Sequence, residues 1–299
     1  MRKIITLILV VFVAAFAVTC ATNPNAGPAV SVEIPELFSP DPDVADDKMS
    51  INIAVNHPVP IKDWTIEIQP LRRGSGQREN VERQREEGQT GGRRGGPRSF
   101  FEQSGKGKPP AVWQWNGRGT SGEMVQSAMD YRFTLTVNDN FGNVTVFNDG
   151  VISTDVLVRR EGDVLRIIVP SIVFQGNSSN FSQVFGDEIT EEIVRANTRI
   201  VALIARALNR FDDYRITVEG HTNPGSPLGS AARTAEDARN QAISESRANA
   251  IINHLVTNHN IARTRLTARG MSGTRTITED YDNDDENWKN RRVEFILER

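Results

Sequence analysis

Apolar and polar residues alternate along several short segments in the first half of the chain. The clearest runs are Met49–Val55, Trp64–Ile68, Val112–Trp115, Tyr131–Val137 and Val144–Phe147. A period of two is typical of strands that bury one face. Turns rich in Gly, Asn and Asp separate some of these runs, at 116–122 and 138–143. Short strands at this spacing predict a β-sandwich.

The pattern changes at Asp163, where strands and helices begin to alternate. Helical spacing of apolar residues predicts helices over Glu188–Phe211 and Ile243–Thr257. Strand-like runs follow the order Val164–Phe174, Tyr214–Gly220, Arg265–Arg269 and Arg292–Leu297. The order β-α-β-α-β with a late extra strand predicts a two-layer α/β sandwich with its helices on one face. The predicted fold class is therefore multidomain α+β, with a β-sandwich at 31–160 and an α/β domain at 163–299.

The segment Arg72–Pro110 interrupts the sandwich region. It is rich in Gly, Arg, Gln and Glu, and its only bulky apolar residues are Val81, Phe100 and Phe101. Such a segment buries too little apolar surface to offset the entropy of ordering, which predicts a disordered loop at 72–110. Its arginines could touch anionic wall polymer or lipid headgroups, but the interspersed glutamates favour a solvated spacer.

The N-terminus has the features of an export signal. Two basic residues precede the apolar run Ile4–Val18, which is short for a membrane span. Cys20 is the only cysteine of the chain, which excludes an internal disulfide. The sequence Ala-Val-Thr-Cys at 17–20 resembles the lipobox of bacterial lipoproteins, although Ala17 and Thr19 depart from the residues usual there. The resemblance implies a signal peptide at 1–19, acylation of Cys20 as a membrane anchor and a linker at 20–30. The alternative is a plain secretory signal that is cut near Ala17.

Charge and residue types narrow the function classes. Removal of residues 1–19 takes two of the 35 basic residues and none of the 38 acidic ones, which leaves a net charge of about −5. A net negative charge argues against nucleic acid as a partner. The four histidines have no partners at the spacing of a zinc site or a catalytic triad. The sequence therefore predicts neither an enzyme nor a cofactor.

Two acidic runs invite comparison with calcium sites. The first contains Asp41, Asp43, Asp46 and Asp47, and the second lies at 280–286. The second run lacks the Gly and the distant Glu of an EF-hand loop. A turn for the first run and a solvated loop for the second are the better interpretations.

Three motifs in the first half resemble the immunoglobulin-like modules of bacterial surface and flagellar-hook-capping proteins. They are Phe-Ser-Pro-Asp at 38–41, Trp-Gln-Trp-Asn-Gly at 113–117 and Asp-Asn-Phe-Gly-Asn at 139–143. Gly122, Val125, Ala128 and Tyr131 add the spacing of the strand that follows in those modules. The resemblance covers 31–160 and implies a spacer or a contact module, with other envelope proteins as candidate partners.

Three ordered motifs in the last third carry a more specific resemblance. They are Val-Glu-Gly-His-Thr at 218–222, Ser-x-x-Arg-Ala at 244–248 and Asn-Arg-Arg-Val-Glu at 290–294. Over 164–299 the chain resembles the OmpA-like peptidoglycan-binding domain family, which includes peptidoglycan-associated lipoprotein. In that family an Asp after the turn Thr and an Arg on the helix hold the diaminopimelate of a wall stem peptide. The carboxylate receives the ligand's ammonium and the guanidinium receives its carboxylate.

The resemblance implies a binding site for the peptidoglycan stem peptide at Thr222, Asn223, Arg247 and Arg292. Asn223 stands where the family has Asp. An Asn still accepts a hydrogen bond from an ammonium but loses the ion pair, a difference of about 1–2 kcal/mol, or about tenfold in affinity. Arg247 has a structural alternative, as a helix surface residue paired with Glu294.

The link between turn and helix is also longer than in the family, because it carries the insertion Pro224–Gln241. Glu236 and Asp237 in this insertion are candidates for the missing carboxylate. A wall with a different diamino residue and a pocket that serves another partner are further alternatives. His221 is expected to be a structural residue of the turn rather than a ligand.

Together these patterns predict an outer-membrane lipoprotein, facing the periplasm, that tethers the membrane to the cell wall by non-covalent peptidoglycan binding. The alternative is a periplasmic or surface interaction protein whose degenerate OmpA-like domain no longer binds the wall.

Overall fold

A computed structural model describes residues 26–40, 47–71, 99–226, 230–278 and 287–299. The predicted signal peptide, Cys20, three aspartates of the first acidic run and all of the second run lie outside the described residues. Within the described ranges, no helix combines the length and the apolar character needed to cross a membrane.

The described residues of the N-terminal part form seven strands. They are β1 Ala29–Glu33, β2 Met49–Asn56, β3 Ile61–Pro70, β4 Phe101–Lys106, β5 Val112–Trp115, β6 Asp130–Asp139 and β7 Val144–Ser153. One sheet has the order β1-β2-β5 and the other the order β4-β3-β6-β7. Alternate residues of both sheets, such as Ile51, Ile66 and Leu135, are fully buried in one shared core. The period-two pattern therefore marks the inner faces, and the β-sandwich prediction is confirmed.

Strand β4 corrects the prediction of a disordered loop over Arg72–Pro110. Phe101–Lys106 pairs antiparallel with β3, and Phe101 lies opposite Ile68. The Phe101 ring centroid is 5.8 Å from that of Trp113, and the Phe100 centroid is 5.3 Å from that of Tyr131. Two adjacent aromatic side chains thus supply the apolar burial that offsets ordering of this strand. Residues 72–98 lie outside the described residues.

The Asp-Asn-Phe-Gly-Asn motif closes the β6–β7 hairpin. Asp139 is buried and accepts hydrogen bonds from the backbone N–H groups of Phe141 and Asn143, both at 2.8 Å. His57 also contacts this carboxylate, with Nε2 2.7 Å from Oδ2. Burial alone would raise the pKa of Asp139, but the hydrogen bonds from Asn143, His57 and Phe141 outweigh it and lower the pKa to about 2. The motif is therefore a structural turn.

In the C-terminal part, the described residues form five strands and two α-helices. They are β8 Arg159–Glu161, β9 Val164–Val169, α1 Glu191–Asn209, β10 Arg215–Gly220, α2 Ala231–His259, β11 Leu266–Gly270 and β12 Val293–Glu298. The sheet order is β11-β10-β12-β9-β8, in which only β10 and β11 are parallel. Apolar residues of α1, α2 and one sheet face share a single core, so the two-layer α/β prediction is confirmed. Because β8 pairs with β9, this sheet begins at Arg159, within the range predicted for the sandwich.

Capping residues set where both helices begin. Thr190 accepts a hydrogen bond from the Ile193 N–H at 3.3 Å at the start of α1. Ser230 accepts one from the Arg233 N–H at 3.1 Å at the start of α2. The insertion predicted between turn and helix is therefore largely helical, and α2 begins at Ala231 rather than at Ile243.

Helix α1 also contacts the sandwich. Arg199 pairs with Asp130 at 3.2 Å and Arg206 pairs with Asp155 at 2.9 Å. Ser171, two residues after β9, donates a hydrogen bond to the Ala128 carbonyl at 2.9 Å. The two parts of the molecule are thus joined by side-chain contacts as well as by the chain.

Candidate functional site

The turn after β10 is held by close backbone packing. A Cβ atom at Gly220 would overlap the carbonyl oxygen of Ser244 on α2, so the strand meets the helix here without room for a side chain. The Met271 N–H donates to the Gly220 carbonyl at 2.9 Å, and the Thr222 N–H donates to the Ser272 carbonyl at 2.8 Å. The start of the turn is therefore fixed between α2 and the residues that follow β11.

Thr222 and Asn223 lie next to each other in this turn but differ in their contacts. Thr222 is buried, and its hydroxyl has no hydrogen-bond partner among the described residues. Asn223 is half-buried, and its Oδ1 accepts a hydrogen bond from Asn290 Nδ2 at 2.9 Å. Asn290 thus links the turn to the start of β12.

Arg247 lies on α2, one turn after the contact with Gly220. Its Nε donates to the Ser178 carbonyl at 2.9 Å, and its Nη2 donates to the Gln175 carbonyl at 3.3 Å. The guanidinium lies 4.9 Å from the centroid of the Phe174 ring. Burial, together with the charge of nearby Arg291, lowers the pKa of Arg247 to about 10, so the group stays charged at neutral pH.

The charge of Arg247 has no counter-ion within the described part of the chain, where it forms no ion pair. The alternative pairing with Glu294 does not form, because Glu294 binds Arg292 at 2.6 Å and Arg166 at 2.5 Å. A half-buried guanidinium that keeps its charge without a carboxylate is costly for the folded state and suits an anionic ligand.

Arg292 is placed apart from the other predicted site residues. Val293 and Phe295 belong to the core beneath the helices. Alternation along β12 therefore turns Arg292 and Glu294 to the opposite face of the sheet. Arg291, the preceding residue, is the one whose charge acts on Arg247. Arg291 lies near Arg247, and Asn223 is bonded to Asn290, the residue before Arg291, whereas Arg292 is buried in an ion pair with Glu294.

His221 belongs to this second, buried cluster. Its Nε2 lies 3.6 Å from carboxylate oxygens of both Glu219 and Glu294, and neither ring nitrogen has a hydrogen-bond partner among the described residues. Four arginines contact the same two carboxylates: Arg166, Arg292, Arg269 and Arg275. The three side chains have the donor types of a metal site, but the surplus of positive charge disfavours a divalent cation. The cluster is therefore interpreted as structural, as predicted for His221.

Titration of His221 is expected to make the protein less stable in mild acid. Burial lowers the pKa of His221, an effect that outweighs the opposing influence of Glu219. The unfolded chain takes up this proton near pH 6.5, whereas the folded protein takes it up only at lower pH. Stability is thus full above pH 6.5 and falls as the pH drops from there toward the folded pKa.

Urea unfolding between pH 7.5 and 5.5 measures this loss, and the variant His221→Gln should flatten the slope. His254→Gln is the comparison variant. Because burial also lowers the pKa of His254, this variant measures how much His254 contributes to the same pH dependence. An NMR titration that placed the His221 pKa at or above 6.5 would contradict the prediction.

The two acidic candidates in the insertion do not complete the site. Asp237 is engaged by Arg233 at 3.0 Å and by the Ser272 hydroxyl at 2.8 Å. Glu236 accepts a hydrogen bond from the Gly225 N–H at 2.6 Å. Glu236 also lies 11 residues before Arg247 on α2, or about 16 Å at the helical rise. Among the described residues, neither carboxylate contacts Arg247.

Residues 187–291 match the OmpA family. This segment is an OmpA-like domain. It includes the turn at 220–223, all of α2, and Asn290 and Arg291. No curated protein matches the chain.

The chain is also similar to solved structures over about half of its length. A MotB-like protein from Desulfovibrio vulgaris is 23% identical, with 48% of this chain and 79% of that chain covered and a TM-score of 0.37. The cell wall anchor of the type VI secretion system from Pseudomonas aeruginosa is 22% identical, with 48% and 87% covered and a TM-score of 0.34. The OmpA-like domain of FopA1 from Francisella tularensis is 17% identical, with 48% and 79% covered and a TM-score of 0.33.

Three features of the OmpA-like domain's site were missed from the sequence. Asn290, which opens the Asn-Arg-Arg-Val motif, positions Asn223. Arg291 is the motif arginine near Arg247. The loop carbonyls of Gln175 and Ser178 accept hydrogen bonds from the Arg247 guanidinium. A backbone contact of this kind cannot be predicted from the pattern of side chains.

Proposed function

We propose that the OmpA-like domain binds peptidoglycan through the region of Asn223, Arg247 and Arg291. The observation that carries the proposal is the half-buried guanidinium of Arg247, which is oriented by two carbonyls and one aromatic ring and has no ion pair within the described residues. Such a group offers a charge-assisted contact to a carboxylate, and wall stem peptides carry carboxylates. Membership of residues 187–291 in the OmpA family supports the same ligand.

The proposal includes the membrane end of the molecule. Acylation of Cys20, after cleavage of residues 1–19, anchors the protein in the outer membrane with its OmpA-like domain in the periplasm. The β-sandwich separates the two ends and offers a surface to other envelope proteins. Because both ends are confined, weak wall binding is sufficient for tethering. The protein acts by binding and has no catalytic role.

Co-sedimentation of the purified protein with isolated peptidoglycan sacculi tests the wall-binding proposal. Arg247→Ala should weaken binding about tenfold or more, because it removes a charged hydrogen-bond donor. Arg195→Ala is the matched control, since Arg195 is 70% exposed on α1 and, among the described residues, forms an ion pair with Glu191 alone. Binding of this variant should equal that of the wild type. Failure of the wild-type protein to sediment, even with the wall of its own organism, would reject the proposal.

Labelling with radioactive palmitate in the native host tests the anchor. Wild-type protein should incorporate label and fractionate with outer membranes, whereas Cys20→Ser should do neither. Unlabelled wild-type protein would favour the plain secretory signal.

A further inference from the structure

Asn290 fixes the orientation of the Asn223 amide. Asn290 Oδ1 accepts hydrogen bonds from the backbone N–H groups of Ile277 at 2.7 Å and Thr278 at 3.2 Å. Its Nδ2 must therefore be on the other side, where it donates to the Thr278 carbonyl at 3.0 Å and to Asn223 Oδ1 at 2.9 Å. Because backbone groups determine how Asn290 is oriented, Asn223 has to present its oxygen to Asn290.

The other branch of the Asn223 amide is consequently a donor. Its Nδ2 group carries two N–H bonds and makes no hydrogen bond to another described residue. Asn223 can therefore donate a hydrogen bond to an acceptor atom of a ligand. Its oxygen already accepts a hydrogen bond from Asn290 and is poorly placed to accept one from an ammonium group. The amide does more than weaken the family's carboxylate contact, because it reverses the polarity of the group.

Arg247 and its described neighbour Arg291 carry charges of the same sign as this donor. Arg247 is cationic, and the nearby positive charge of Arg291 is one cause of its lowered pKa. Neither Glu236 nor Asp237 brings a carboxylate to Arg247, for the reasons of contact and distance given above. An ammonium group next to a carboxylate bound by Arg247 would meet the guanidinium of Arg247 and the N–H donor of Asn223.

We infer that this site recognises the carboxylate at the side-chain end of the diamino residue of a stem peptide when the amine on the same carbon is acylated, as in a cross-link. The identity of the polymer rests on the proposed function, whereas the preference for an acylated amine rests on the orientation of Asn223. Arg247 binds the carboxylate, and Asn223 Nδ2 donates to a carboxylate or amide oxygen of the same residue. The site thereby favours cross-linked wall over uncross-linked wall.

Three synthetic stem tripeptides of L-Ala, γ-D-Glu and meso-diaminopimelate test this preference by calorimetric titration of the purified protein. The first has a free side-chain amine, the second has this amine acetylated, and the third is acetylated and has its side-chain carboxylate converted to an amide. The acetylated tripeptide should bind at least fivefold more tightly than the free amine, and the amide should lose at least tenfold. Tighter binding of the free amine by the wild-type protein would overturn the inference.

The variant Asn223→Asp is the matched test of the mechanism. A carboxylate still accepts the hydrogen bond from Asn290, so the unfolding midpoint should be unchanged, but it replaces the donor by an acceptor. The variant should prefer the free amine by about tenfold, the reverse of the wild type. An unchanged preference in a variant of normal stability would show that Asn223 does not read this group.

A second pair of probes separates this inference from the proposed function. N-acetyl-D-alanine and D-alanine differ in the ammonium and require no wall polymer. The acetylated compound alone should shift the NMR signals of the Arg247 and Asn223 side chains, even if sacculi fail to bind. Equal or larger shifts with D-alanine, or no shift with either, would overturn the inference, whereas failure of sacculi alone would reject only the wall as the ligand.

Discussion

Replacement of Arg292 by alanine is expected to lower the free energy of unfolding by about 3 kcal/mol, the lower end of the range for breaking a buried ion pair. Arg292 is 6% exposed, and its Nε lies 2.6 Å from Glu294 Oε1. Removal of the guanidinium leaves a buried carboxylate with one arginine fewer. The loss should not reach the upper end of the range, because Arg166 continues to bind Glu294 at 2.5 Å.

Two further variants separate charge from packing at this position. Arg292→Met keeps most of the aliphatic volume and should lose nearly as much stability as the alanine variant, because the unpaired charge of Glu294 is the main cost. Arg292→Met combined with Glu294→Leu should regain part of that loss. Urea unfolding at pH 7 measures all three variants.

Arg269→Ala provides the control, since Arg269 pairs with Glu219 at 3.4 Å but is 60% exposed. Exposed ion pairs contribute little, so this variant should lose less than about 1 kcal/mol. If Arg292→Ala and Arg292→Met both lost less than about 1 kcal/mol, the prediction would be contradicted. Water or a neighbouring group would then compensate the Glu294 carboxylate at little cost.

Strand positions could be predicted from the sequence because burial alternates along them. Ile51, Ile53 and Val55 on β2 are all buried, and the residues between them, Asn52 and Ala54, are exposed. Strand β4 was missed for the opposite reason. Its sequence, Phe-Glu-Gln-Ser-Gly-Lys, has one large apolar residue and no alternation, so its position depends on pairing with β3 and on aromatic contacts across the core.

The first half of α2 was missed because it has no apolar stripe. Its residues from Ala231 to Gln241 are mainly Ala, Thr, Arg and acidic or amide side chains, most of them exposed. The one buried residue of its first turn is Arg233, which donates to Asp237 and to the carbonyl of Ser226. Hydrogen bonds to distant carbonyls cannot be read from periodicity, although Ser230 is a recognisable N-cap residue.

The site residues were predicted with unequal success. Asn223 and Arg247 lie in the region that their motifs indicate, and whether they bind the wall stays a prediction. Arg292 was chosen from the Arg-Arg pair, but alternation from the buried Val293 places Arg291 on the helix side of the sheet. The sequence therefore held the information needed to choose the other arginine. The orientation of the Asn223 amide could not be predicted from the sequence, because it depends on backbone N–H groups of Ile277 and Thr278 that orient Asn290.

Introduction of a single methyl group at Gly220 is expected to cost about 3 kcal/mol or more, at the upper end of the range for overpacking. The Cβ atom of Gly220→Ala would overlap the main-chain carbonyl of Ser244. Alanine is favoured over glycine by only about 0.5–1 kcal/mol in a strand, which is too little to offset this clash. Either α2 or the end of β10 must move, and Thr222 and Asn223 move with the strand. Both the unfolding free energy and sacculus binding should therefore fall.

Gly176→Ala is the control, because its added Cβ would meet only the Glu188 carboxylate, at 3.3 Å. That flexible side chain can shift, so stability should change by less than about 0.5 kcal/mol. At Gly220 the added methyl group would instead meet main-chain atoms of Ser244. Shortening the Ser244 side chain in the double variant Gly220→Ala/Ser244→Ala should therefore not restore stability. A stable Gly220→Ala protein that still binds the wall would show that α2 can move away from β10 at little cost. The close approach of strand and helix would then not be what fixes Asn223 relative to Arg247, and the contact between Asn290 and Asn223 would have to position the turn by itself.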